Sequence, residues 1–179
     1  MMAETEDRKE YTLNIGKVNI YSFLMIVPIA TIYFFPFIFI WDYETFDLGR
    51  KEFMKLLIFV FVFGIILHEL LHGITWALFA KRGFRSIKFG INGLTPYCHC
   101  KEPLKVKHYR LGGMMPLLIM GIIPAIAGLM IGNGLFLCIG IFFTWTAGGD
   151  IMSLFMLQKI DNETMVSDHP DKMGFYITE

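Results

Sequence analysis

The chain has 179 residues, of which 55% are hydrophobic and only 18% charged; its mean hydropathy is +0.54 and its formal net charge is zero. So little charge excludes an ordinary soluble domain of this size, whose outside must be polar. The neutral balance gives none of the basic footprint that nucleic acid binding requires.

Residues 1–17 form a polar, acidic-leaning segment with Glu4, Glu6, Asp7 and Glu10. The apolar run that follows, Val18–Trp41, is too long for the core of a signal peptide and is expected to be a retained span. About 20 apolar residues cross a bilayer as a helix. By that measure Lys55–Ala80, Leu111–Gly132 and Gly134–Leu157 are three further spans. Between the second and third lies a loop, Lys81–Arg110. Its Ile87–Ile91 and Leu94–Cys98 runs flank Asn92-Gly93, a strong β-hairpin signal, with Pro96 marking an edge strand. In the last two spans Gly121/Ala125, Gly128/Gly132 and Gly140/Thr144/Gly148 recur at four-residue spacing, which suits close helix packing. Residues 158–179 form a polar tail.

The expected architecture is therefore an all-α integral membrane protein. It has four transmembrane helices over 18–157, with a short cytoplasmic β-hairpin between the second and third. Every Lys and Arg except Arg50, Lys51 and Lys55 falls in the N-terminal segment, the Lys81–Arg110 loop or the tail. Basic loops stay inside, so both termini and the hairpin are expected to be cytoplasmic.

The second span carries His68-Glu69-Leu70-Leu71-His72, an H-E-x-x-H motif. Residues four apart share a helix face, so His68 and His72 can grip one metal ion. Glu69 then sits beside the ion as a general base, able to take a proton from the water that zinc activates and pass it to a leaving amine. Three ionisable groups in hydrocarbon without a function would cost several kcal/mol each. Zn2+ is the expected cofactor. Gly64, one turn earlier on the same face, leaves room for a neighbouring helix or for substrate.

Two histidines need a third ligand. Glu69 and Asp150 are the acids well inside an apolar span. His68 lies thirteen residues down its span, about 20 Å, and Asp150 sixteen residues down its own, about 24 Å, both running the same way. That depth match favours Asp150 as ligand. A hydrogen bond to a neighbouring helix or a place on a proton path is the alternative. The other histidines, His99, His108 and His169, fall in the loop or tail. Cys98-His99-Cys100 fits no usual zinc spacing and reads as a polar loop with reduced thiols. A closed structural metal site in an adaptor or chaperone, or an ion-transport path, would use the same residues.

These motifs resemble a family. The H-E-x-x-H span, hairpin loop, returning span and Asp-bearing span are similar to the three-helix core of the site-2 protease class, over residues 55–157 with one extra span in front. His68–Gly73, Gly148-Gly149-Asp150 and the tail Asp168–Tyr176 more closely resemble a prokaryotic group of membrane zincins. The resemblance implies zinc on His68, His72 and Asp150, a catalytic Glu69, and a site in a prokaryotic plasma membrane. It also implies a transmembrane or membrane-associated protein as substrate.

Overall fold

The computed structural model describes residues 9–92, 95–169 and 172–178. The chain is mostly helical, and three helices are long and apolar enough to cross a membrane, or four if one bent pair counts as a span.

The first apolar run forms two helices, α1 (Ile15–Leu24) and α2 (Ile26–Trp41). They meet four residues before Pro28, whose ring clashes with the Leu24 carbonyl and whose nitrogen cannot bond it. A single residue, Asp42, joins α2 to α3 (Tyr43–Ala77). It takes the left-handed φ of 90°, and its carboxylate accepts the Thr45 N–H at 2.8 Å, capping α3. α3 has 35 residues, about 52 Å, well beyond the roughly 30 Å hydrocarbon core. Its extra turns hold Asp47 paired with Arg50 and Lys51, and Glu52 with Lys55, which belong in water. The apolar part turns Ile58 and Phe59 outward, as α2 does Phe39, which is 93% exposed. Such surface is consistent with contact with lipid.

A turn of 3-10 helix (Gly83–Ser86) leads into a hairpin of β2 (Ile87–Asn92) and β3 (Thr95–Cys100), antiparallel with Phe89 opposite Cys98. Gly93 of the expected Asn92-Gly93 turn lies outside the described residues. The hairpin rests on α3, where a methyl group at Gly73 would run into the Phe89 ring. At its base the Glu102 carboxylate binds Arg82 and the Lys81 N–H, and the Arg82 guanidinium holds the Glu102 carboxyl down at about 2.

The third apolar run is one rod, Val106–Ile131, starting five residues before the expected Leu111. It comprises α4 (Val106–Pro116), a π-helical turn (Leu117–Ile122) and α5 (Ile123–Ile131). Pro124 cannot bond the Met120 carbonyl and crowds it, so the turn before it widens. Gly132 ends α5 in the left-handed conformation, and Asn133 caps α6 (Gly134–Thr146) by accepting the Phe136 N–H at 3.0 Å. The fourth expected span, Gly134–Leu157, is bent by 53° at Ala147, between α6 and α7 (Gly148–Leu157). Two features explain the bend. The Gly148-Gly149 pair offers little resistance to it, and Thr146 turns its hydroxyl back onto the Phe143 carbonyl at 3.1 Å. The small residues do pack helices: Gly121 abuts Thr144, Gly140 abuts Ala125, and Gly128 abuts the Leu137 backbone.

The all-α expectation needs one correction. The two polar ends and a short strand of the Lys81–Arg110 loop fold together into a sheet of order β1-β6-β5-β4, made of β1 (Glu10–Leu13), β6 (Met173–Thr178), β5 (Met165–Asp168) and, from the loop, β4 (Leu104–Lys105). Phe175, Val166 and Leu104 from this sheet are buried with Trp76, Val106, Tyr109 and Leu157 from the helices. The sheet is thus fastened to the end of the bundle where α3 finishes and α4 begins.

Candidate metal centre

α3 sets His68 and His72 one turn apart, with ring centroids 5.0 Å from each other. The bend at Ala147 brings the first turn of α7 to them. Asp150 Oδ2 lies 3.0 Å from His68 Nε2, and Asp150 Oδ1 lies 3.3 Å from His72 Nε2. One donor atom from each residue falls within 4.8 Å of the others, and among the described residues no other His, Cys, Asp and Glu trio comes so close. Donors around tetrahedral zinc, at about 2.0–2.1 Å from the ion, stand about 3.3 Å apart. The spacing and the chemistry of this donor set therefore fit zinc.

The backing of His72 fixes its tautomer. Its Nδ1 is 2.8 Å from the Gly112 carbonyl oxygen, which can only accept, so Nδ1 carries the proton and donates it. Nε2 is left with its lone pair directed at the cluster, the arrangement that orients a metal-binding imidazole. The His72 ring also stacks on Trp76 at 5.2 Å, and Trp76 stacks on Tyr109 at 5.2 Å. Trp76 Nε1 donates to the Tyr109 carbonyl at 3.1 Å. Gly112 must be glycine here because a Cβ would enter the Trp76 indole.

Burial is uneven around the cluster. The His72 side chain is 6% exposed, but those of His68 and Asp150 are 14% and 21% exposed. One side is walled off by aromatic rings and the other stays open. Glu69 lies on the open side, facing the Cys98 backbone N–H of β3. A cleft of about 180 Å³ starts there and runs between α3 and α6.

The remaining histidines and the cysteine segment do not join the cluster. His99 lies 3.5 Å from Asp168, His108 stacks on Phe79, and His169 pairs with Glu10 at 2.6 Å. Cys98 and Cys100 are free thiols. Burial pushes the Cys98 thiol well up and that of Cys100 to about 11, so both stay protonated.

One residue of the site's surroundings, Asp168 in the tail, has no assigned role in the sequence reading. Its carboxylate accepts from the Tyr109 hydroxyl and, at 2.7 Å, from the Cys100 N–H. Burial raises its carboxyl, and these two hydrogen bonds oppose the rise. Asp168 thereby ties β3, which faces Glu69, to α4, which backs His72. The Asp168–Tyr176 motif was the signal, but only the pairing of β5 and β6 shows what it fastens.

A family model described as "Putative zincin peptidase" matches residues 61–165, more than half of the chain, and takes in His68, Glu69, His72 and Asp150. No curated protein and no solved structure gives a match.

Proposed function

This chain belongs to the "Putative zincin peptidase" family, and from that premise we propose that it is a zinc-dependent endopeptidase that cuts its protein substrates within the membrane. The observation that carries the reading is the open His68–His72–Asp150 cluster with Glu69 beside it, on a helix long and apolar enough to span a bilayer. The family name supports zinc peptidase chemistry. The intramembrane locus is supported by the apolar helices around the site.

In this reading His68, His72 and Asp150 hold the ion, which when bound supplies Lewis acidity toward water and toward the scissile carbonyl. Glu69 takes the proton of the attacking water and delivers it to the leaving amine. Gly112 holds His72 in the ligating tautomer throughout. A helical substrate must unwind first, because its own hydrogen bonds shield its peptide bonds. The β2 strand, over Lys88–Ile91, offers an edge on which an unwound segment can lie extended. The basic residues put the hairpin and both termini on the cytoplasmic side.

The reading is tested with purified protein in liposomes and a reporter that spans the bilayer once. Cleavage is expected, with the cut mapped by mass spectrometry inside the spanning segment. A chelator should abolish it and added zinc restore it. Cuts confined to aqueous flanks would remove the intramembrane part, and chelator-insensitive cleavage would remove the zinc.

A further inference from the structure

We propose that the cleft between α3 and α6 is a side-chain pocket, taking one apolar substrate residue up to the size of a phenyl ring next to the scissile bond. This rests on the peptidase reading and adds a selectivity to it.

The cleft begins at His68 and Glu69, so whatever fills it lies beside the reacting atoms. Its walls are Phe61 and Ile65 of α3 and Phe142 and Phe143 of α6. Size sets the upper limit. A cavity of about 150 Å³ lined by similar side chains holds one benzene, and this one measures about 180 Å³. Away from the cluster the lining offers no spare donor. Pro96 has no N–H, and the Thr146 hydroxyl donates to the Phe143 carbonyl of its own helix. A polar side chain seated here would lose water and find, away from the cluster, no donor and little beyond the lone pairs of the Thr146 hydroxyl. Gly64 lets the Phe143 ring pack directly onto α3 and form the pocket wall, because a Cβ at that position would collide with the ring. Phe61, half exposed, stands at the edge of the cleft, on surface that the fold turns toward lipid. An apolar residue arriving from the bilayer therefore meets the pocket before it meets the metal cluster.

Hydroxamates chelate zinc and carry a substituent into the adjoining space, so they probe the pocket without a known substrate. Calorimetry on the zinc-loaded full chain in detergent should compare methyl, benzyl and carboxamidomethyl hydroxamates, with chelator-stripped protein correcting for partition into the micelle. A single methylene in an apolar pocket changes affinity about tenfold or more. Benzyl is therefore expected to bind at least about tenfold tighter than methyl, and carboxamidomethyl no tighter than methyl. Ile65→Trp, which takes up pocket volume from the α3 wall, should erase the benzyl advantage and keep methyl binding. Equal affinity for methyl and benzyl, or a benzyl advantage that survives Ile65→Trp, overturns the pocket. Should Ile65→Trp not fold, the wild-type series alone decides. Failure of all three to bind zinc-loaded protein overturns the peptidase reading itself, and the pocket with it.

Discussion

Glu69→Gln is expected to keep its zinc and lose its activity. The amide has nearly the shape of the carboxylate, so the His68–His72–Asp150 cluster should not move. It cannot accept a proton from water at neutral pH, however, and general acid–base catalysis contributes about 10²–10⁴-fold. kcat on a membrane-spanning reporter should fall by that factor, with zinc content by atomic absorption equal to wild type. The family match, over residues 61–165, spans all four residues. The substitution isolates the one role that the geometry assigns to Glu69 and to no other carboxylate beside the cluster. Unchanged cleavage would remove Glu69 from the mechanism. Lost zinc would make it a structural support of the site.

Asp150→Ala should act on the metal instead. The carboxylate supplies both of its oxygens to the two histidines, at 3.0 and 3.3 Å. Removing a residue that merely supports a metal ligand weakens binding about 10–100-fold. Removing a ligand should therefore cost at least about 10²-fold in zinc affinity. Far-UV circular dichroism should be unchanged, because Gly148 and Gly149 in the first turn of α7 keep their close approach to Ser22 and Met173. Activity should fall with occupancy and recover in part at high zinc. Full occupancy in Asp150→Ala would assign the third ligand elsewhere.

Much of this was legible in the chain. The apolar runs mark the spans because a bilayer demands long uninterrupted hydrophobicity, and the i, i+4 spacing of His68 and His72 fixes a shared helix face. Counting intramembrane acids singled out Asp150 at a matching depth, but its place beside both imidazoles also depends on the bend at Ala147. The bend at Ala147 was not legible. Gly148-Gly149 permits a kink but does not demand one, and the turn of the Thr146 hydroxyl onto the Phe143 carbonyl leaves no mark in the sequence. The terminal sheet was missed for a different reason. Its strands are four, six, four and two residues long, and β1 pairs with β6 across the whole chain. No local pattern encodes so distant a partner. Asp168 was missed with it, since its importance comes from reaching Tyr109 and Cys100 on other elements.

The central claim is that His68, His72 and Asp150 hold a zinc ion with a position left open for chemistry. Zinc-edge X-ray absorption on the purified wild-type protein tests it most directly. One zinc per chain is expected, with two imidazole nitrogens and only oxygen besides, all at about 2.0–2.2 Å. A sulfur shell at about 2.3 Å would move the metal to Cys98 and Cys100, and less than stoichiometric zinc in wild-type protein that resists reloading would contradict the account.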